Sequence, residues 1–227
     1  MAKKIFQYFL IVVCIPIIII IGVKVFDNKY AAWISLCVTI LACVPFFIGF
    51  EKGKASTKQM IIIAIMIAIS VVGRIIFAPI PSFKPVTAIV VITAIHFGSQ
   101  AGFMTGALTA LISNFYFGQG PWTPLQMFAW GIVGLIAGII AKQLKSSRIV
   151  LSAYGVLAGI LFSLLMDVWT VLWWDGYFNL TRYIAAIASS ATSTVIYAFS
   201  NAIFLLILGK PIGNKLERIK DKYGLQE

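Results

Sequence analysis

Apolar residues dominate long stretches of this chain, and short polar punctuation separates them into eight runs. They cover residues 5–25, 31–50, 60–77, 85–97, 101–117, 124–141, 149–173 and 183–208. A bilayer-crossing helix needs about 20 apolar residues, so most runs are long enough to span. The run at 85–97 is short. Pro79, Pro81 and Pro85 precede it, and prolines cannot donate backbone hydrogen bonds, so the chain there is loop. That run is expected to be a short, tilted or partly re-entrant helix. The pattern predicts an all-α integral membrane protein, with a two-helix transmembrane hairpin (residues 1–55, including a polar linker) ahead of a six-helix body (56–209). A charged tail (210–227) follows, with a short helical continuation expected.

Composition agrees with lipid as the solvent. Apolar residues make up 61% of the chain and charged residues 11%, more apolar surface than a soluble core of this size can hide. The net charge of +11 does not point to nucleic acid, because the basic residues sit at the ends of apolar runs. If both termini are cytoplasmic, eight spans place 13 of the 18 basic residues inside. Lys24, Lys29, Arg74, Lys84 and Arg182 are left outside, as the positive-inside rule requires. The expected topology is therefore multi-pass, with both termini cytoplasmic. Lys3 and Lys4 precede the first run as in a signal peptide, but its length and its lack of a small-residue cleavage site predict a retained helix. Cys14, Cys37 and Cys43 lack metal-ligand spacing and read as small buried hydrophobes.

Candidate chemistry gathers in the loops that this topology puts outside. They hold Arg74, Lys84, Gln119, Trp122, Asp175, Tyr177 and Arg182, with Phe117, Trp173 and Trp174 beside them. An interfacial aromatic belt would also place Trp and Tyr at this level; a ligand-holding rim is the other reading. Asp167 is the one acid inside an apolar run, which is costly unless paired, so it marks a site or a structural ion pair. Its candidate partners are Arg74, Lys84 and Arg182. Asn114, Gln126 and Asn201 are intramembrane amides, and for Asn201 a hydrogen bond to another helix is expected. His96 stands alone, with no metal set around it, and reads as a helix-end hydrogen-bonding group. Ala64 and Ala68 share one helix face, either for packing within the bundle or for a partner helix; Gly102, Gly106, Ala110, Gly134 and Gly138 show similar spacing. There is no Walker A sequence and no hydrolase or protease motif, so no enzyme is expected. With one buried carboxylate, an autonomous ion-driven transporter is also disfavoured. The energy source is then a partner.

Residues 57–208 resemble the substrate-binding S components of energy-coupling factor (ECF) vitamin importers. The resemblance rests on Ala-x-x-x-Ala at Ala64 and Ala68, on the proline loop from Phe77 to Pro85, and on Phe-Gly-x-x-x-Gly-Phe from Phe97 to Phe103. It rests also on the run Ser-Asn-Phe-Tyr-Phe-Gly-Gln-Gly-Pro-Trp-Thr-Pro-Leu-Gln-Met-Phe-Ala-Trp-Gly from Ser113 to Gly131. It implies that Ala64 and Ala68 dock on a transmembrane T component driven by two cytoplasmic ATPases. It also implies a vitamin bound at the outer face and delivered inward as the body topples. Substrate-binding candidates on this basis are Arg74, Lys84, Asn114, Phe117, Gln119, Trp122, Gln126, Asp167, Trp173, Trp174, Asp175, Tyr177 and Arg182. No metal or cofactor of its own is implied, and ATP is confined to the partner subunits. The Gly118–Pro124 run and the aromatic fifth body helix look most like cobalamin-type members, making cobalamin the expected ligand. Riboflavin, a queuosine precursor and a self-sufficient permease remain the alternatives. The N-terminal hairpin departs from the six-helix pattern of the family.

Overall fold

The computed structural model describes residues 57–225 together with Ile40, Leu41, Cys43, Val44 and Phe47. Most of the N-terminal hairpin, with Cys14 and Cys37, lies outside the described residues. Among these residues seven helices have defined bounds: α1 Thr57–Ile76, α2 Val86–Phe97, α3 Ser99–Phe117, α4 Thr123–Ile139, α5 Ala141–Ser146, α6 Arg148–Asp175 and α7 Leu180–Tyr223. No strand occurs among them. α1, α6 and α7 are long and apolar enough to cross a bilayer.

The short run is the centre of the bundle. Every residue of α2 is buried, and at 1.5 Å per residue its 12 residues reach about 18 Å. That falls short of the roughly 30 Å hydrocarbon layer. The loop before it therefore dips between the helices. Phe83 packs against Phe77 and Phe204, with ring centroids 5.8 and 5.1 Å apart. Irregular backbone at this depth must find partners inside the protein, and Ser200 on α7 supplies them. Its Oγ accepts from the Lys84 N–H at 2.9 Å and donates to the Lys84 carbonyl at 3.2 Å. Ser82 in the same loop takes the left-handed conformation, φ 60°, which a short polar side chain tolerates better than a branched one.

α3 and α4 pack backbone to backbone. A Cβ on Gly106 would lie 2.4 Å from the Trp130 carbonyl oxygen, and one on Gly134 would lie 2.4 Å from that of Gly102. The glycine spacing is thus an intramolecular seam, the small-residue packing that substitutes for a hydrophobic drive inside lipid. Cys43 and Phe47 lie against Phe103, Ala107 and Leu135 of these two helices. Cys43 is buried there, as a small hydrophobe.

The charged tail continues α7 as helix through Pro211 to Tyr223. An interior proline removes one hydrogen bond and costs about 3 kcal/mol. Docking of the extension offsets this: Leu216 is buried, Lys220 Nζ donates to the His96 carbonyl at 3.0 Å, and Lys145 meets Glu217 at 2.9 Å. The short α5 was not anticipated, because six polar-rich residues carry no readable period. Glu217 is also the carboxylate that the sequence did not bring to His96, at 3.1 Å from Nδ1. It lies beyond the apolar part of α7, and the hydrogen bond from Lys145 holds its carboxyl below the usual range.

A candidate solute site around Arg74 and Lys84

The last turn of α1 carries Arg74 into the bundle, where it is buried. The guanidinium donates to Ser113 Oγ, and to Asn114 Oδ1 at 2.9 Å. Asn114 passes the chain on: its Nδ2 donates to Gln126 Oε1 at 2.8 Å and to Thr123 Oγ1 at 3.0 Å. Thr123 Oγ1 in turn donates to Gln119 Oε1 at 3.0 Å. Aromatic faces flank the cation, with Arg74 Cζ 4.4 Å from the Phe117 centroid and 5.1 Å from the Trp130 ring. Such contacts steady a desolvated cation without neutralising it.

A second buried network adjoins the first through Trp130. Its indole Nε1 donates to Tyr197 Oη at 2.7 Å, and the same hydroxyl is 2.5 Å from Thr87 Oγ1. The Trp130 ring stacks on Phe162 at 4.9 Å. Lys84 Nζ lies 5.3 Å from the Tyr197 centroid. Arg74 and Lys84 thus occupy one region, and neither has an ion pair among the described residues. The donors outnumber the acceptors. The arrangement can hold a group rich in acceptor oxygen or nitrogen, or one carrying negative charge, and it repels cations.

Of the residues singled out in the sequence, Arg74, Lys84, Asn114, Phe117, Gln119 and Gln126 come together here. Trp122 folds over Gly120, where a Cβ would sit 2.2 Å from its ring, at the loop edge of the same network. The remaining candidates sit elsewhere. Asp167 meets none of its expected basic partners: its Oδ2 accepts from Ser190 Oγ at 2.7 Å, because α7 presents its serine-rich stretch at that level. Asp175 pairs with Arg182 across the α6–α7 corner, where Gly176 at φ 73° ends α6 and Asn179 caps α7. Trp173, Trp174 and Tyr177 around that corner are exposed. No hydrogen bond or ion pair among the described residues joins the corner to Arg74. Asn201 is fully buried, yet neither side-chain polar atom finds a partner among the described residues; its expected interhelical hydrogen bond is absent, since it faces the bare backbone of Gly159. Sequence reasoning missed Ser113, Thr123, Thr87, Tyr197 and Ser200. Intramembrane hydroxyls were the available signal.

Ala64 and Ala68 are exposed, on a strip of α1 with Ile61, Ile65, Ile69 and Val72.

Among the described residues the result is an all-helical bundle with a fully buried short helix, a polar, aromatic-walled centre and three helices long and apolar enough to cross a bilayer. The model of the ECF-type riboflavin transporter S component family matches residues 54–218, well over half of the chain. The chain belongs to that family of S components. It is also similar to UPF0397 proteins of two Clostridium perfringens strains, ATCC 13124 and SM101. Each is 32% identical over 105 residues, covering 43% of this chain and 55% of the relative. The chain thus spans about half the length of these curated relatives. No solved structure matches.

Proposed function

We propose that this S component captures an acceptor-rich vitamin at the end of the bundle holding Arg74 and Lys84. It then delivers the vitamin inward with a T component and two ATPases. The observation that carries the reading is the buried Arg74 beside the half-buried Lys84, with aromatic walls and, among the described residues, no carboxylate paired to either. Leaving such charges uncompensated in a low-dielectric interior is costly, and a ligand presenting carbonyl or phosphate oxygens relieves the cost. Riboflavin is the first ligand to test, because the matching family model bears its name and a flavin offers carbonyl oxygens on a flat ring. Cobalamin is the second, favoured by the wide exposed aromatic surface of Trp122, Trp173 and Trp174 near that end. Asp167, Asp175, Tyr177 and Arg182 join the site only if ligand draws the α6–α7 corner inward.

The exposed strip with Ala64 and Ala68 is the face assigned to the T component, since a helix lacking bulk there permits close approach. The Arg74 end faces outside and both termini face the cytoplasm, following the distribution of basic residues. The test is purification in detergent, mass spectrometry of released small molecules, and titration with riboflavin and cobalamin. Uptake is then measured with and without the partner subunits. Saturable binding by the chain alone, with uptake only in their presence, is expected. Uptake by the chain alone identifies a permease instead, and no saturable binding of either vitamin at micromolar concentration removes both ligand assignments.

A further inference from the structure

At the end of the bundle opposite Arg74, the extension of α7 leaves a cleft of about 530 Å³ between itself, α5 and α6. Its floor is apolar, formed by Leu151, Leu205 and Leu206. Its rim carries Lys145, Arg148, Lys210 and Arg218 against a single carboxylate, Glu217. Glu217 is occupied by Lys145 at 2.9 Å. Arg148, Lys210 and Arg218 make no ion pair among the described residues. Glycines let α7 pack closely on its neighbours at the cleft: a Cβ on Gly213 would lie 2.9 Å from His96 Nε2, and one on Gly209 would lie 3.2 Å from Leu151. Asn214 adds an amide at the same level.

Charge at the rim and hydrocarbon at the floor describe an amphipathic anion. Guanidinium groups match phosphate oxygens with paired donors, and basic pockets between membrane helices hold anionic headgroups. A free phosphate would use only the rim. Leu206 is 48% exposed, so the apolar floor runs out to the lipid-facing side. We propose that this cleft is a binding site for the phosphoryl headgroup of an anionic phospholipid, with acyl chain against Leu206 and Leu151. The lipid secures the α7 extension to α6. The inference is independent of what the Arg74 end binds.

Native mass spectrometry with dioctanoyl phosphatidylglycerol, dioctanoyl phosphatidylcholine and inorganic phosphate tests it. The cleft variant is Arg148→Gln/Lys210→Gln/Arg218→Gln. The control, Lys142→Gln/Lys215→Gln/Lys222→Gln, removes equal charge from outside the cleft. Wild type and control should retain phosphatidylglycerol in preference to phosphatidylcholine, and the cleft variant should lose about a hundredfold in affinity, as three neutralised cations imply. If the triple variant does not fold, each single substitution should still weaken binding severalfold. Equal losses in both triple variants would mean diffuse surface charge, and equal retention of phosphatidylcholine would mean no headgroup selection. Phosphate binding as tightly as the lipid would mean a soluble-anion site. Each of these three results overturns the proposal.

Discussion

Tyr197→Phe removes one oxygen from the centre of the bundle and leaves the ring in place. The ring keeps its contact with Phe162, 5.2 Å between centroids, and its position beneath Lys84. What disappears is the hydroxyl that accepts from Trp130 Nε1 and bonds Thr87. Trp130 is fully buried, so no water reaches its indole N–H. A buried donor left unpaired costs about 1–3 kcal/mol. Thr87 lies in the first turn of α2 and has neighbouring backbone acceptors, so its loss is the smaller one. Taking about 2–4 °C of melting midpoint per kcal/mol for a chain of this size, the ligand-free variant in detergent should melt roughly 2–12 °C lower. A midpoint within about 1 °C of wild type would refute the reasoning, because it would mean that the hydroxyl does not satisfy the indole.

Arg74→Gln should weaken vitamin binding about ten- to a hundredfold, the scale of a lost charge-assisted hydrogen bond of about 1.5–3 kcal/mol, read by titration of the purified protein. Ala64→Trp and Ala68→Trp should abolish uptake by the assembled transporter while equilibrium binding by the isolated chain is retained; loss of both would indicate misfolding. Gly106→Leu places side-chain atoms where the Trp130 carbonyl already stands, and it should eliminate the monodisperse peak in size-exclusion chromatography. Thiamin, a cationic vitamin, should fail to compete with the bound ligand at any accessible concentration, since Arg74 and Lys84 repel it.

The helices were readable because lipid-facing segments must close their backbone hydrogen bonds internally, which makes each apolar run a helix almost by necessity. The break at Pro79–Pro85 marked α2 as short. Its full burial, and the descent of Lys84 to Ser200, depend on packing from α7 more than a hundred residues later. The site was half legible. Arg74, Asn114 and Gln126 stood out as polar groups in apolar surroundings. Ser113, Thr87 and Tyr197 did not, since hydroxyls barely disturb hydropathy and their partners are set by the tertiary fold. Asp167 was the strongest single signal and was misleading as to partner. An acid near a helix end can be satisfied by one serine, and charge alone does not say which neighbour is in reach. The helical continuation of the tail was legible, but its docking was not, since Leu216, Glu217 and Lys220 act through tertiary contacts.

The most direct test is the amount of small molecule released per mole of purified protein, compared by mass spectrometry between wild type and Arg74→Gln/Lys84→Gln. Near-stoichiometric release from wild type, and almost none from a variant with unchanged helix content, is the predicted result. Equal release from both would show that the solute is held elsewhere and that Arg74 and Lys84 serve only the fold.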